Sequence, residues 1–152
     1  SPSLSQNGTR QQTMSQAVIN LKGAKRILSE KSRWNRGFLA ADDEGEDVSP
    51  LSDEAVCFCA IGAMVKSAYT YDPDLVPENT PSSHTFEGWV TGVKGFGFLV
   101  DSMSTLSGDL DAGTIGTVWT VNDKLQRSGE HSTFLKLFDD AIKLAEAEDV
   151  AS

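Results

Sequence analysis

Length, composition and charge place this chain among single-domain globular proteins. Its 152 residues are enough to bury a substantial core, and its contents of 39% hydrophobic and 23% charged residues differ from those of disordered chains and membrane proteins. A net charge of −9 disfavours a general nucleic-acid-binding protein, and two cysteines are too few for a disulfide framework. We therefore expect a cytoplasmic domain with reduced cysteines, no membrane-spanning segment and no secretion signal.

The charge is unevenly distributed along the chain. Residues 1–36 hold seven bases and one acid, a net charge of +6, whereas the remainder holds six bases and twenty-one acids, a net charge of −15. Such asymmetry is typical either of an arm that binds a polyanion or of a basic segment that packs beside an acidic body. The second interpretation is favoured, because the whole molecule would still repel a phosphate backbone.

The first part of the chain predicts an arm followed by a helix. Residues 1–13 are almost entirely polar, and we expect a flexible arm ahead of a single globular domain over 14–149. Apolar residues recur at helical spacing over 14–32, with Thr13 as a suitable N-cap. Gly23 inside this helix indicates either a close neighbour or a weakened helix.

An acidic loop follows at 42–47. Its five carboxylates form a candidate interaction surface: Asp42, Asp43, Glu44, Glu46 and Asp47. The loop lacks the alternating ligand spacing and the distant bidentate Glu of a calcium-binding EF-hand. We therefore predict a solvated, hairpin-like loop and no metal site.

The next predicted helix spans 53–68, with Ser52 as its N-cap. Residues 55–65 are apolar on every side, which is typical of a helix enclosed by other elements. This segment therefore predicts the central helix of the domain, with the first and last helices packed on it.

The remaining chain predicts a long loop over 69–85 and a final amphipathic helix over 132–149. Between them, 86–106 has helical spacing but several glycines, with a strand over 97–100 as the alternative. Residues 114–122 favour a strand by propensity, which is a weak guide. The predicted fold is a mostly α, single-domain helical bundle around a central apolar helix, with room for a short β-hairpin in the middle segment.

Three short elements carry a family resemblance. They are Trp-Asn-Arg-Gly at 34–37, Val-Cys-Phe-Cys-Ala-Ile-Gly-Ala at 56–63 and Asn-Asp at 122–123. Together they resemble an uncharacterised bacterial and phage family, a domain of unknown function, with W-x-x-G, C-x-x-G-A and W-N-D elements. Val121 stands where that pattern has Trp, and Trp119 lies two residues earlier. The resemblance implies a mostly helical intracellular domain and carries no catalytic residues with it.

The cysteines and histidines do not form a recognisable catalytic or metal-binding pattern. Cys57 and Cys59 fall inside the predicted apolar helix, where burial raises a thiol pKa and helical geometry separates the two sulfurs. A Cys59, His131 and Asp123 arrangement is a disfavoured alternative. His84 and His131 lack the spacing of zinc ligands. We predict no catalytic residue, no metal and no cofactor.

The Asn122-Asp123 pair has two interpretations. The favoured one is a structural cap or turn, since both side chains bond readily to nearby backbone. The alternative is a polar pocket in which Asp123 meets Arg36 or Lys124 near Trp34 and Trp119. Arg36 and Trp34 would then offer a charged fork and an aromatic face to a ligand or partner.

These observations favour a non-enzymatic protein-interaction domain of bacterial or phage origin with an unidentified protein partner. One alternative is an acidic phage-encoded inhibitor that occupies the basic nucleic-acid-binding groove of a host defence protein. The other is a small-molecule-binding domain with a pocket near Trp34, Arg36 and Asp123. Direct nucleic-acid binding is disfavoured in all three, despite the basic N-terminal segment.

Overall fold

The computed structural model describes residues 15–71, 90, 93–107 and 113–151, and this part of the chain is predominantly α-helical, as predicted. Its regular elements, in chain order, are α1 (Gln16–Leu28), a 3₁₀ turn (Lys31–Arg33), β1 (Ala40–Ala41), β2 (Cys57–Phe58), α2 (Ala60–Tyr71), α3 (Phe96–Ser107), α4 (Gly113–Ser128) and α5 (His131–Ala151). The predicted arm at 1–13, the predicted loop from 72 onwards and His84 lie outside the described residues.

Helix α1 begins at Gln16 because Ser15, and not Thr13, is its N-cap. The Ser15 hydroxyl accepts a hydrogen bond from the Val18 N–H at 3.2 Å. Further along α1, a Cβ at Gly23 would overlap the hydroxyl of Ser67 on α2. That hydroxyl donates to the backbone carbonyl of Asn20 at 2.7 Å. The two helices therefore approach closely at Gly23, which confirms the first interpretation of this glycine.

Helix α2 starts at Ala60, so the predicted start at residue 53 is wrong. Ser52 stabilises a turn instead of a helix, since its hydroxyl accepts the Glu54 N–H at 3.1 Å. Cys57 and Phe58 are extended because they pair with β1, and this pairing prevents the helix from beginning earlier. Beyond its start, α2 is the enclosed apolar helix that the sequence predicts, with all residues from Ala60 to Val65 buried.

The small sheet is antiparallel, with Ala40 opposite Phe58 and Ala41 opposite Cys57. Isolated bridges extend it on both sides, from Trp34 to Phe58 and from Asp47 to Ala41. The outer side of each strand is therefore bridged at one of its two residues, Ala41 in β1 and Phe58 in β2. The acidic loop is the connection that returns the chain beside β1.

Two segments with competing strand interpretations are helical. Residues 97–100 lie in α3, and residues 114–122 lie in α4, so the strand interpretation of each is wrong. Burial explains the outcome, since each helix presents apolar side chains to the core at helical spacing. These buried side chains are Phe96, Leu99 and Met103 in α3 and Val118, Val121 and Leu125 in α4.

The helices pack in pairs around a shared core. Helix α1 packs on α2 and α5, α3 packs on α4 and α5, and α2 also contacts α4. The final helix α5 therefore packs mainly on α1 and α3, and the expectation that it packs on α2 is wrong. None of the described helices combines the length and the apolar character needed to cross a membrane.

Ion pairs between α1 and α5 join the basic N-terminal part of the chain to the acidic remainder. Lys25 lies 2.6 Å from an Asp139 carboxylate oxygen, and Lys22 lies 3.8 Å from Glu146. These partly exposed pairs are each worth at most about 1 kcal/mol. They support the interpretation that the basic N-terminal part packs beside the acidic body.

Candidate functional site

The side chain of Asn122 lies at the meeting point of three distant segments. Asn122 belongs to α4 and is 1% exposed. Its Oδ1 accepts two hydrogen bonds, from Trp34 Nε1 and from the backbone N–H of Ala60, each at 2.9 Å. The second bond satisfies an N–H at the start of α2, which has no partner within its own helix. Asn122 therefore caps α2 from a position far along the chain.

The amide nitrogen of Asn122 completes the arrangement. Its Nδ2 donates to the backbone carbonyl of Asn35 at 3.0 Å and to Asp123 Oδ1 at 3.1 Å. Both donors and both acceptor positions of this amide are thus occupied. We call this set of bonds among Trp34, Asn35, Ala60, Asn122 and Asp123 the Asn122 junction.

Trp34 belongs both to the junction and to the hydrophobic core. It is 4% exposed, and its ring stacks on Phe134 with the ring centroids 4.2 Å apart and an interplanar angle of 13°. His131 lies against the same indole, at a centroid distance of 5.4 Å. The His131 Nε2 is 2.7 Å from the backbone carbonyl of Leu28, so it carries the proton and donates. These contacts anchor the start of α5 to the end of α1.

Cys59 caps α2 beside the junction. Its Sγ accepts the Gly62 N–H at 3.4 Å, and the residue is completely buried. Burial raises the pKa of the Cys59 thiol from its ordinary value of 9.0 to about 12, and the nearby charge of Asp123 adds to this effect. A nucleophilic cysteine needs a lowered pKa, so this geometry favours the structural interpretation.

Cys57 lies in β2 and Cys59 directly precedes α2, so the prediction that both lie inside a helix whose geometry separates their sulfurs is wrong. Its half-buried thiol donates to the Ala41 carbonyl at 3.7 Å, away from the bond that Cys59 makes to Gly62. Burial also raises the pKa of the Cys57 thiol. Each thiol therefore has its own backbone partner.

We expect Cys59 to be unreactive toward iodoacetamide in the folded protein. At pH 8, a rise in pKa from 9.0 to about 12 lowers the thiolate fraction roughly a thousandfold, and burial further restricts access. Mass spectrometry of timed samples should show Cys57 modified before Cys59, with both modified readily in urea. Equally fast labelling of Cys59 with and without urea would contradict the buried-thiol geometry.

The outer side of α4 forms an open, shallow depression, which we call the α4 surface. It is lined by two adjacent rows of residues at i, i+4 spacing: Trp119, Asp123 and Arg127 in one row, and Thr120, Lys124 and Ser128 in the other. Trp119 and Asp123 are half-buried, and Lys124 and Arg127 are exposed. Asp123 therefore links the Asn122 junction on the inside to the α4 surface on the outside.

The acidic loop is a tight turn that places three carboxylates together. Asp42 Oδ1 accepts the N–H groups of Glu44 and Glu46 at 3.0 and 2.9 Å, and Gly45 supplies the required positive φ of 82°. One carboxylate oxygen from each of these three acids lies within 4.8 Å of the others. Among the described residues, none of the loop carboxylates forms an ion pair with a lysine or arginine.

Comparison with known sequences identifies the family. Residues 12–144 match the profile of a family described as a family of unknown function, DUF6197. The chain belongs to the DUF6197 family. The predicted resemblance to an uncharacterised domain family is therefore confirmed. No curated protein and no solved structure matches the chain.

In this DUF6197 chain the three elements behind the resemblance converge at the Asn122 junction. Of the predicted site residues, Trp34, Asn122 and Asp123 come together there, and Trp119 joins Asp123 on the α4 surface. Arg36 is exposed in the turn after Trp34 and, within the described part of the chain, forms no ion pair with Asp123.

Sequence reasoning missed three residues that line the α4 surface of this DUF6197 chain. They are Thr120, Arg127 and Ser128. Their spacing from Trp119 would have identified them if residues 113–128 had been predicted as one helix. The strand propensity of the first half of α4 concealed that pattern.

Proposed function

We propose that this chain is a non-enzymatic protein-interaction domain of bacterial or phage origin that binds its partner through the α4 surface. The observation that carries the proposal is the half-buried indole of Trp119 beside the exposed cations of Lys124 and Arg127. Tryptophan and arginine are the residue types most enriched among the side chains that dominate protein–protein binding.

The shape of the α4 surface favours a protein over a small ligand. A small-molecule site surrounds most of its ligand, whereas all six residues that line this depression belong to one helix. The indole N–H of Trp34 is bonded to Asn122, and one face of its ring is covered by Phe134. Of these two tryptophans, Trp119 and not Trp34 is therefore accessible to a partner.

A second candidate function is the acidic inhibitor of a basic groove. The observation that favours it is the acidic loop, in which half-buried Asp42 and exposed Glu44 and Glu46 converge and form no ion pair among the described residues. By contrast, the α1 bases Lys22 and Lys25 are paired with α5. A basic partner would supply the missing counter-charges, in a strongly salt-dependent interaction.

One capture experiment separates the two proposals. Tagged protein is incubated with nuclease-treated bacterial lysate at low and high salt, and captured proteins are identified by mass spectrometry. The α4 variant carries Trp119→Ala and Arg127→Glu, and the loop variant carries Glu44→Lys and Glu46→Lys. All three proteins are first matched by circular dichroism and thermal unfolding, because only folded variants report on binding.

The outcomes are distinct. We expect a specific partner that is captured by the wild type and the loop variant and lost with the α4 variant. A partner that only the loop variant fails to capture, and that the wild type also loses at high salt, would instead support the acidic inhibitor. A partner captured equally by all three proteins would contradict both surfaces.

A further inference from the structure

We infer that the α4 surface selects an acidic segment that carries one apolar anchor side chain. This inference rests on the proposed function and specifies the chemistry of the partner. Within the described residues, neither Lys124 nor Arg127 forms an ion pair, although the whole chain has a net charge of −9. Two adjacent cations that form no ion pair within that part of the chain offer a local site for a carboxylate.

The spacing of the two cations suits a single acidic group. Lys124 and Arg127 are separated by three positions on α4, which places their Cβ atoms about 5–6 Å apart on the same side of the helix. One carboxylate can therefore contact both. Arg127 uses its Nε to donate to the backbone carbonyl of Asp123 at 3.4 Å, which orients the side chain along its own helix. Its terminal nitrogens have the geometry for bidentate recognition of a carboxylate.

Trp119 supplies the apolar part of the α4 surface. It lies five residues before Lys124 and eight residues before Arg127. At the rise of an α-helix these separations are about 8 and 12 Å, with a mean of roughly 10 Å along the helix axis. In an extended partner segment this distance corresponds to about three residues. The expected partner sequence thus has an aromatic or aliphatic residue and an acidic residue about three positions apart.

Asp123 limits what the α4 surface accepts. Its Oδ1 accepts the hydrogen bond from the buried Asn122 Nδ2 at 3.1 Å, which fixes the position of the carboxylate in the lining of the depression. A partner acid must approach Lys124 and Arg127 away from Asp123, since carboxylates in close contact repel each other. This constraint favours one placement of the partner's acidic residue over its neighbours.

The test is a selection of linear peptides from a random display library. The wild-type chain is the target, and selected peptides are then synthesised and measured by fluorescence anisotropy at low and high salt. The test variant carries Lys124→Glu and Arg127→Glu. The matched control carries Lys94→Glu and Lys143→Glu, which produces the same change in net charge at two exposed lysines that form no ion pair among the described residues.

We expect enrichment of acidic peptides with one apolar residue about three positions from an acid. Their affinity should fall about tenfold or more for the test variant and much less for the control. Their affinity should also fall as salt is raised. Enrichment of neutral or basic peptides, no enrichment, or equal losses for both variants would overturn the inference. Loss of a lysate partner with the α4 variant, combined with any of those results, would leave the proposed function standing without the acidic specificity.

Discussion

Replacing Asn122 by alanine is expected to lower the free energy of unfolding by about 3–5 kcal/mol. The substitution leaves the indole N–H of Trp34, the backbone N–H of Ala60 and the carbonyl of Asn35 without their partner. These groups surround a side chain that is 1% exposed, so water cannot readily replace it. Urea unfolding followed by circular dichroism measures the change, and a fall in Tm of about 10 °C should accompany it.

Asp123→Asn is the matched control for this prediction. The amide retains an oxygen that can accept from Asn122 Nδ2, so the junction is kept and the expected change is within about 1 kcal/mol. Asn122→Asp tests the donor side, because it replaces the amide nitrogen with an oxygen that faces the Asn35 carbonyl. We expect it to be strongly destabilising. A wild-type stability for Asn122→Ala would show that the junction does not hold the three segments together.

Replacing Gly62 by alanine is expected to cost more than about 3 kcal/mol or to prevent folding. A Cβ at this position of α2 would overlap the backbone carbonyl of Leu39. That carbonyl also accepts the Cys59 N–H at 3.2 Å, so the chain beside α2 is held in place and cannot rotate aside. The gain of about 1 kcal/mol that alanine brings to a helix is smaller than this steric cost.

Gly97→Ala provides the control, since it makes the same exchange in another helix. Gly97 lies in α3, and a Cβ there would meet no atom within 4 Å. We therefore expect this variant to be more stable than the wild type by up to about 1 kcal/mol. Parallel thermal and urea unfolding compare the two variants. Equal stabilities for Gly62→Ala and Gly97→Ala would mean that residue 39 does not approach α2 as described.

Apolar periodicity predicted the first and last helices, α1 and α5, correctly. The stripe over 14–32 identified α1, and the stripe over 132–149 identified α5, within a few residues at each end. The apolar run through 60–65 identified the enclosed part of α2. These predictions succeeded because the same side chains that form the pattern also form the core.

The start of α2 and the nature of α4 required the tertiary structure. Residues 53–58 have helix-compatible composition, yet β1 pairing and the two caps of α2 set the boundary at Ala60. Residues 114–122 have strand propensity, yet burial against α3 and α2 stabilises a helix. Local propensities differ by about 1 kcal/mol or less per residue, so packing outweighs them.

The sequence likewise predicted only part of the candidate site, and the rest required the tertiary structure. The family elements singled out Trp34 and Asn122, but no spacing in the sequence showed that the indole N–H would bond to the amide oxygen. Trp119 and Asp123 were predicted to share a pocket with Trp34 and Arg36, whereas they lie together on the outer side of α4, a surface that exists only because 113–128 is one helix.

The sequence by itself determined the class of this protein: a single, mostly helical domain with an acidic body and an apolar central helix. Composition and periodicity can be read from the chain alone, and they identify the apolar residues that form the core. The tertiary structure alone decided that Asn122 caps α2, that Gly62 admits the Leu39 carbonyl and that Trp119, Lys124 and Arg127 share one face. Such contacts join residues far apart in the chain, where hydrogen-bond geometry and packing, and not local pattern, select the partner.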